Sequence, residues 1–501
     1  MATASGTDQE AATSSGRIPE RYPASGISVL IVGAGVAGLM ASLECWRKGH
    51  DVRIIEKSAT RILSGDGFTI GESAIRSLSN WSDMADENVK IAFDPWISWH
   101  KITGEKISGP APIFDYVVKR EETGDDSDNG QQEDIQAQPK RMYRHSRPKF
   151  HKMLTDQAER IGIYVEYGKR VIEYYEKPDA GKAGVVLENG ETIEADVVLA
   201  ADGIGSKSTK ITMGREVRAQ STGFAIYRTA FPIELAFADP MVRERFQLLE
   251  NGHPVAELWM GDGIHAMFGR SHEEMSWAIN YPVNDSGTTT ESWSALVDPE
   301  TVLRFTATIP GWPEVANHVI LSTPKDRLHD FKLMWRDPQP CWVSPSGRVV
   351  QLGDAAHTFL PSSGNGATQG LEDAISLATC LQLAGKDSIP WATRIHNKLR
   401  FERVACLQKL GIANQETRQR STDADAKQAR PIGLLAAWVL RHNPEQYALE
   451  NYEKALGHLL HGKPFQNTNI PPGYVYKPWT IGELLSLKKS GKEIELGWDC
   501  E

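Results

Sequence analysis

Cysteine and clustered positive charge are both scarce in this sequence. The 501 residues include five scattered cysteines, none of them in a CxxC pair, at Cys45, Cys341, Cys380, Cys406 and Cys500. We therefore expect neither a disulfide framework nor a zinc or other metal site, and a reducing, cytoplasmic location is favoured. The net charge is −10 and lysine and arginine form no basic block. This argues against a nucleic-acid partner or an anionic membrane surface.

Long apolar runs are also missing. The longest candidate, residues 432–440, is about half of the ~20 residues that a bilayer span requires, so no integral membrane span is expected. A buried C-terminal helix is the favoured interpretation, and a surface helix that touches a membrane or a partner is the alternative. Residues 1–25 are small and polar, with no apolar segment that could act as a secretory signal, and we interpret them as a disordered tail.

A strand, a glycine-rich turn, a helix and a second strand follow this tail. Residues 27–32 are mostly apolar and β-branched, which is typical of a strand buried on both faces. Gly33, Gly35 and Gly38 come next, and Glu56 follows the second strand, 21 residues after Gly35. Glycine-rich turns are common by themselves, but in this βαβ context they predict a dinucleotide-binding site.

Each residue of this fingerprint has a physical reason. Gly33 permits a tight turn, Gly35 lets the backbone approach a pyrophosphate, and Gly38 lets the helix pack closely on the sheet. The helix N-terminus, with its free N–H groups and partial positive charge, would face the phosphates. Glu56 is expected to accept hydrogen bonds from the adenosine ribose, which disfavours the 2′-phosphate of NADP in this pocket. A βαβ unit without a ligand is the alternative.

Two later segments repeat the pattern of a strand that ends at an acid. One apolar strand runs into Asp202 and Gly203, and a second short strand runs into Gly353 and Asp354. A Pro/Gly-rich loop and a helix follow the second acid. The fingerprint alone does not separate FAD from NAD, but these two segments favour FAD.

In combination, the three motifs resemble those of the single-component flavin-dependent aromatic hydroxylases, the family of p-hydroxybenzoate hydroxylase and salicylate hydroxylase. The layout is also similar to the fungal secondary-metabolite branch of that family. The resemblance covers about residues 27–383, with a weaker C-terminal tail. It implies an α/β fold with a Rossmann-like FAD-binding domain, an inserted antiparallel-sheet substrate domain and a C-terminal helical region.

The same resemblance implies a reaction. FAD would be the cofactor and NAD(P)H a transient co-substrate, bound without a second Rossmann domain. One oxygen atom of O₂ would pass through a flavin C4a-hydroperoxide to an aromatic, polyketide-like or alkaloid-like small molecule. Hydroxylation, epoxidation, dearomatisation and Baeyer–Villiger oxidation all stay open as outcomes.

Domain boundaries follow from the resemblance and from the composition. We expect a FAD-binding domain at 26–215 and 345–385, a substrate domain at 216–344 and a C-terminal helical region at 386–501. The polar acidic stretch at 120–140 is interpreted as a disordered loop. Packing or dimerisation is the expected use of the C-terminal region, so a homodimer is left open.

Residues that contact FAD are implied position by position. Arg147 would open a helix and reach toward FAD, and the alternative is a solvent-facing cation, which is unfavourable at a helix N-terminus unless an anion is near. The helix from Gly366 would direct its positive end at the N1–C2 edge of the flavin, where the reduced form carries charge. His357 is assigned a structural hydrogen bond. The other implied contacts are Glu56 and Asp202 toward the ribose and pyrophosphate, Gly67 and Ala367 at the flavin, Asp354 on the ribityl hydroxyls and Pro361 as the flavin-facing wall.

The middle of the chain is predicted to form a separate sheet. Short alternating segments between residues 224 and 281 predict antiparallel strands with one solvated face. Arg228, next to Tyr227, matches the family segment that holds a substrate-orienting arginine, and we expect it to bind an acidic phenol or its phenolate. An ordinary exposed strand cation is the alternative. Trp259 and His265 are weaker pocket candidates, and the second tyrosine that some fungal members use has no secure counterpart.

Three rival functions were weighed. A flavin-dependent halogenase is disfavoured because no Trp-x-Trp-x-Ile-Pro segment is present. A non-oxygenating FAD-dependent reductase or dehydrogenase stays open, because its FAD motifs would look the same. A flavin-binding scaffold or redox sensor is disfavoured because no interaction module is visible.

Overall fold

The computed structural model of the protein describes residues 18–61, 65–116, 142–283, 295–418, 436–490, 492 and 494–498. The acidic loop expected at 120–140 lies outside the described residues, as does most of the expected tail. The strands are β1 Ser28–Val32, β2 Asp51–Ile55, β3 Gly67–Ile70, β4 Ala92–Phe93, β5 Trp96–Lys101, β6 Lys106–Ala111, β7 Tyr143–Ser146, β8 Val165–Glu166, β9 Val171–Lys177, β10 Lys182–Leu187, β11 Thr192–Ala195, β12 Val197–Ala200, β13 Gln220–Pro232, β14 Val255–Gly261, β15 Ile264–Arg270, β16 Glu274–Pro282, β17 His329–Trp335 and β18 Val349–Gln351.

Helices connect and cover these strands. They are α1 Val36–Arg47, α2 Glu72–Ile75, α3 Ser82–Ile91, α4 Arg147–Arg160, α5 Thr209–Met213, α6 Ile233–Phe237, α7 Pro240–Arg245, α8 Pro299–Thr306, α9 Glu314–Leu321, α10 Gly366–Ala384, α11 Ile389–Arg418, α12 Ala437–Leu440, α13 Pro444–His461 and α14 Ile481–Lys489. In the part of the chain that the structure describes, no helix combines the length and the apolar character needed to cross a bilayer.

The first sheet is parallel, with the strand order β18-β12-β1-β2-β8. The strands β12 and β18 are buried throughout, as expected from their apolar sequences. At the carboxyl ends of three neighbouring strands, Ala200 pairs with Val32 on one side and with Gln351 on the other. The three sequence motifs therefore begin side by side at one edge of one sheet.

Close helix packing brings the third motif toward the first. Helices α1 and α10 pack against each other on one face of the sheet. A Cβ added at Gly353 would lie 3.1 Å from the Cβ of Ala37, and one added at Gly370 would lie 3.0 Å from it. Glycine at both positions therefore lets the end of β18 and the first turns of α10 approach α1. The antiparallel sheet β9-β10-β11 packs on the other face.

A second, seven-stranded sheet has the order β17-β13-β16-β15-β14-β5-β6. Its pairing is antiparallel except between β14 and β5, which run in parallel. Residues 96–111 supply β5 and β6, whereas the sequence analysis placed them in the FAD-binding domain. Their partner strand begins at Val255, more than 140 residues away in the sequence, so the pairing leaves no local signal.

The two faces of the second sheet differ because side chains alternate along each strand. Tyr227 and Trp259 lie in an apolar core with residues of α8 and α9, on the helix-covered face. Trp259 is fully buried there against Phe268 and Trp312, so it does not line a pocket on the opposite face. We call the opposite face the cleft face, and its central residues are Ile226, Arg228, His265, Asn280 and Phe331.

Two contacts with the domain that contains the parallel sheet, which we call the first domain, show which way the cleft face is turned. Arg228 forms an ion pair with Asp66, which precedes β3. Ile226 shares an apolar cluster with Leu360, which lies in the loop before α10. The cleft face is therefore turned toward the carboxyl edge of the parallel sheet. The mixed α/β architecture, with a dinucleotide-type domain, antiparallel sheets and a helical C-terminal region, is confirmed.

Candidate functional site

The glycine turn after β1 is sterically fixed by the backbone around it. Gly33 has φ +103, and a Cβ there would lie 2.4 Å from the carbonyl oxygen of Ala201. A Cβ at Gly38 would lie 1.9 Å from the carbonyl oxygen of Gly33. Gly35 differs, because an added Cβ would meet nothing within 4 Å. Two glycines therefore hold the turn against α1 and the sheet, and the third leaves an open approach to its backbone.

Glu56 stands at the end of β2, next to this turn. Its Oε2 accepts a hydrogen bond from the backbone N–H of Ala34 at 2.9 Å. Its Oε1 accepts from the backbone N–H and the hydroxyl of Ser58, both at 2.9 Å. The carboxylate is thus oriented by the protein beside the open turn, where the sequence predicted a ribose-binding acid.

His151 was missed by the sequence analysis, although it lies one helical turn after Arg147. Its Nε2 is 2.8 Å from the carbonyl oxygen of Ala34 in the glycine turn. Burial lowers the pKa of His151, and the nearby cations Arg61 and Arg147 lower it further. These charges show that Arg61, Arg147 and the glycine turn are gathered around one imidazole.

Arg61 is a second residue that the sequence analysis missed. Its Nη1 lies 3.6 Å from a carboxylate oxygen of Asp156. Its Nε and Nη2 atoms are buried and have no hydrogen-bond partner among the described residues. Unpaired buried N–H groups of a cation beside a glycine turn are well suited to an anionic ligand such as a pyrophosphate.

Arg147 is the first residue of α4, as the family resemblance implied. Its backbone N–H donates to the carbonyl oxygen of Asp66 at 2.8 Å, and its side chain passes beside Gly65, which has φ +146. The side chain is exposed. A cation at a helix N-terminus opposes the helix dipole, so this position favours a nearby anion.

Asp354 follows β18 at the opening of the site. Surrounding protein raises the pKa of its carboxyl group, and the charges of His357, Arg147 and Arg336 oppose that rise. The Asp354 side chain is nevertheless exposed to solvent. A carboxylate can be largely surrounded by protein and still be solvent-exposed when it lines an open cleft. The charge of Arg147 acts on the Asp354 carboxyl group, as expected if both side chains line that cleft.

The turn that carries Asp354 is held from below by Asp373 of α10. Asp373 Oδ2 accepts a hydrogen bond from the backbone N–H of Gly353 at 3.0 Å and lies 2.6 Å from Nε2 of His357. His357 is buried. Asp373 is therefore the partner of the structural hydrogen bond that was expected for His357.

A buried ion-pair network supports the same turn. Arg400 Nε donates to Asp373 at 2.9 Å, and Arg403 Nε donates to Glu372 at 2.9 Å. Burial opposes ionisation of both acids, but the surrounding cations hold their pKa values well below the ordinary range. All four side chains are fully buried, so α10 and α11 are locked together beneath the site.

Asp202 stands after β12, between the other two motifs. Its Oδ1 is buried and has no hydrogen-bond partner among the described residues. Burial raises the pKa of the Asp202 carboxyl group, and the nearby hydroxyl groups of Ser206 and Tyr174 oppose that rise. An unpartnered carboxylate oxygen at the sheet edge is a position for a ligand hydroxyl or N–H group.

The loop from Pro361 to Gly366 forms the far end of the site. Pro361 is exposed, and a Cβ at Gly364 would meet nothing within 4 Å. Helix α10 begins at Gly366, its N-cap Asn365 makes no side-chain capping bond, and Ala367 is partly buried. The N-terminal N–H groups of α10 thus emerge at an open loop, with the partial positive charge of the helix behind them.

Arg228 connects the cleft face to the first domain. Its guanidinium donates to the carboxylate of Asp66, and its side chain is only 15% exposed. The alternative of an ordinary exposed strand cation is therefore wrong. Arg144 is close by, since a Cβ added at Gly67 would lie 3.1 Å from its Nη2 atom. Burial lowers the Arg144 pKa, the charge of Asp66 raises it and the charge of Arg228 lowers it. This cluster of two cations and one acid carries an excess positive charge beside Gly67.

The C-terminal segment covers the cleft face, which the sequence analysis did not foresee. Trp479 and Leu484 pack in the same apolar cluster as Ile226, Phe331 and Leu360. Trp479 also lies 6.0 Å, ring centre to ring centre, from Trp335 of β17. The region expected to serve only packing or dimerisation thus closes one side of the cleft.

The geometry fits FAD along its whole length. The open glycine turn, Glu56 and Arg61 suit the adenosine and pyrophosphate, and the unpartnered Asp202 oxygen and the exposed Asp354 suit sugar and ribityl hydroxyls. Comparisons with known proteins agree. Residues 26–388 match the family model described as an FAD binding domain.

Relatives and solved structures extend the similarity to most of the chain. It is 42% identical to the FAD-dependent monooxygenase fsr3 of Gibberella fujikuroi over 95% of this chain and 89% of the relative. A crystal structure of CtdE in complex with FAD and substrate 4 superposes with a TM-score of 0.73 at 28% identity, covering 86% of this chain and 99% of that one. A salicylate hydroxylase substrate complex shares the fold, with a TM-score of 0.65 at 20% identity over 85% of this chain and 98% of the other.

Proposed function

The chain belongs to the FAD-binding-domain family and is an FAD-dependent monooxygenase, and on that premise we propose that it uses NAD(P)H and O₂ to insert one oxygen atom into an aromatic, polyketide-like or alkaloid-like small molecule. When bound, FAD would accept a hydride from NAD(P)H and, once reduced, activate O₂ for transfer of one oxygen atom. The chain itself must hold the cofactor, orient the substrate and keep water away.

The observation that carries this proposal is the junction of the cleft face with the flavin end of the site. The pair of Arg228 with Asp66 joins the second sheet to the segment that leads into Gly67. Ile226, two residues before Arg228, packs with Leu360, which directly precedes Pro361. An apolar surface with one charged group thus faces the loop that would hold the isoalloxazine.

Individual residues take roles along the cofactor in this proposal. Gly33, Gly35, Gly38 and Glu56 would bind the adenosine half, and Arg147 and Asp202 would serve the middle of the molecule. Asp354 would bind the ribityl chain. Pro361, Gly366, Ala367 and Gly67 would surround the flavin, where the positive end of α10 favours a reduced, anionic ring.

Arg228 is the residue that we assign to the substrate. Its positive charge, reinforced by Arg144, would favour the ionised form of a phenol and fix the ring to be oxidised. An electron-rich phenolate is more reactive toward an electrophilic oxygen donor. Asp66 would keep the guanidinium oriented before the substrate arrives.

Cellular location belongs to the same proposal. Cys45, Cys380 and Cys406 are buried free thiols, and Cys341 is an exposed one. Exposed free thiols persist in reducing compartments. We therefore place the enzyme in the cytoplasm.

The test is oxygen incorporation by the purified FAD-loaded enzyme. With NADPH, ¹⁸O₂ and hydroxylated naphthalenes or anthraquinones, we expect one labelled oxygen atom per product molecule and one NADPH consumed. Formation of hydrogen peroxide alone with every aromatic substrate would support a non-oxygenating oxidoreductase instead.

A further inference from the structure

A buried polar side chain on the cleft face has no role in the reaction described so far. We propose that Asn280 determines substrate specificity by accepting a hydrogen bond from an un-ionised O–H or N–H group of an otherwise apolar, polycyclic aromatic substrate. This inference rests on the proposed function, because it places the substrate on the cleft face.

The register of the sheet fixes where Asn280 lies. It stands on β16 between Ile226 of β13 and His265 of β15, its direct cross-strand partners. Arg228 pairs with Ala278 in the neighbouring row. Arg228 and Asn280 are therefore diagonal neighbours on the same face, and their backbone positions are about 7–8 Å apart.

The contacts around this position turn it toward the cofactor domain. Arg228 reaches Asp66 of that domain on one side. Ile226 packs with Leu360 and Trp479 on the other. Asn280, on the neighbouring strand β16, thus lies beside two contacts by which β13 joins the flavin end of the site.

The Asn280 side chain is 4% exposed, and its Oδ1 has no hydrogen-bond partner among the described residues. A buried amide oxygen without a partner is costly, so a donor is expected there in the working state of the protein. A carbonyl oxygen only accepts hydrogen bonds, so the group that it selects must be a donor. A phenolate oxygen held by Arg228 does not satisfy it.

The cleft face also carries His265 beside Asn280, but two of its polar groups define the substrate class that we infer. One is the cation Arg228, which suits an ionised phenol, and the other is the acceptor Asn280. Their backbone positions are about 7–8 Å apart, so side chains that rise from them on one face can contact groups at the two ends of a fused two-ring system. We infer a substrate with a second hydroxyl or N–H group, one or two rings away from the ring that is oxidised.

Thr229 supplies a matched comparison within the same sheet. Its Oγ1 is also buried and has no hydrogen-bond partner among the described residues. It stands next to Arg228 in β13, however, so it points to the helix-covered face. If an unpartnered buried oxygen mattered only for stability, the two positions would behave alike.

The experiment measures binding to the oxidised FAD-loaded enzyme without NADPH. The probes are 2,6-dihydroxynaphthalene and 6-methoxy-2-naphthol, which differ in one O–H donor, and the readout is the change in flavin absorbance. We expect the wild type to bind the diol about tenfold more tightly, as one hydrogen bond predicts. Asn280→Leu should bring the ratio of dissociation constants to about one by weakening diol binding, whereas Asn280→Asp, which keeps an acceptor, should retain the preference.

Thr229→Val is the control and should leave the tenfold ratio unchanged. Thermal unfolding of Asn280→Leu should occur at the wild-type temperature or above, since the change removes an unpaired buried amide, and Asn280→Ala replaces it if the leucine variant does not fold. The proposal is overturned if the wild type does not prefer the diol, or if Asn280→Leu keeps the preference. Because no turnover is involved, a failure of oxygen transfer would leave this result unaffected.

Discussion

Arg228 of the substrate-side sheet and Asp66 of the cofactor domain form an ion pair, although 161 residues separate them in the sequence. The charges of both groups act on Arg144. The pair means that the residue proposed to bind the substrate is positioned by the segment that leads to the flavin. Changes at the cofactor end and at the substrate end are therefore expected to affect each other.

The first prediction concerns Arg228. Arg228→Ala should abolish the acceleration of flavin reduction by 2,6-dihydroxynaphthalene while FAD remains bound, because the cation that favours a phenolate is lost. The measurement is stopped-flow reduction by NADPH at the flavin absorbance, with and without the phenol. Asp66→Asn is the matched control. It removes the negative charge of the partner but keeps the cation and an amide oxygen that can still accept its hydrogen bond, so the acceleration should persist. Retained acceleration in Arg228→Ala would remove this residue from the substrate site.

The glycine turn gives the second prediction. Gly35→Ala should fold normally but lose FAD, because the added Cβ meets no protein atom within 4 Å and instead occupies the approach to the turn. Gly38→Ala should lower the unfolding temperature as well, since its Cβ would lie 1.9 Å from a backbone oxygen. The measurements are the ratio of flavin to protein absorbance and thermal unfolding. Gly482→Ala, in α14, is the control and should lower neither the FAD content nor the unfolding temperature. A Gly35→Ala protein with a full complement of bound FAD would contradict the proposed pyrophosphate position.

The third prediction concerns pH. Burial opposes ionisation of Asp373, but His357 and Arg400 hold its pKa well below the ordinary range. A carboxylate with a lowered folded-state pKa stabilises the fold above its unfolded-state pKa of about 4, and this stabilisation is lost as the pH falls toward the folded-state value. The free energy of unfolding should therefore fall as the pH drops below about 4.

A variant isolates this contribution. Asp373→Asn should destabilise the protein by about 3–5 kcal/mol at pH 7, because it leaves buried Arg400 short of one partner. It should also show a shallower loss of stability in acid, measured by urea unfolding between pH 3 and pH 7. Glu244→Gln, at an exposed position, should follow the wild-type curve. Equal acid sensitivity of Asp373→Asn and the wild type would count against the assignment.

The fourth prediction concerns the C-terminal cover. Trp479→Ala should open the cleft to water, because Trp479 packs with Ile226 and Leu360 over the cleft face. We expect a larger share of NADPH consumption to yield hydrogen peroxide instead of oxygenated product. The ratio of peroxide to product measures this effect. Val475→Ala changes a residue that is 69% exposed and should leave the ratio as it is. An unchanged ratio in Trp479→Ala would show that this segment does not exclude water.

The sequence predicted the cofactor edge of the fold well, because its signals are local. A buried strand followed by Gly33, by Asp202 or by Asp354 can be recognised within about ten residues. The rule that parallel strands share one carboxyl edge then places the three motifs at the same edge, and the structure adds that Ala200 pairs with both Val32 and Gln351 there. The helix start at Arg147 was implied by the family resemblance.

Long-range relationships could not be predicted in the same way. The pairing of Val255 with Trp96 and the ion pair of Arg228 with Asp66 depend on segments far apart in the sequence. The ion-pair partners of the buried acids, Arg400 and Arg403, lie in α11, and nothing in the local sequence of that helix indicates that these two arginines are buried. The alternation of apolar and polar side chains along β14 does not show which face of the sheet the helices cover. Trp259 was therefore a candidate for a pocket that it does not line.

The side-by-side arrangement of β1, β12 and β18 has a consequence for biosynthesis. The cofactor edge needs a strand from near the start of the chain, one from the middle and one that follows the whole second sheet. A nascent chain that has not yet exposed β18 and α10 lacks Asp354 and the loop before the helix. With the cofactor bound as proposed, loading therefore follows the release of most of the polypeptide from the ribosome. Until then the early strands have one unpaired edge, which is at risk of wrong association.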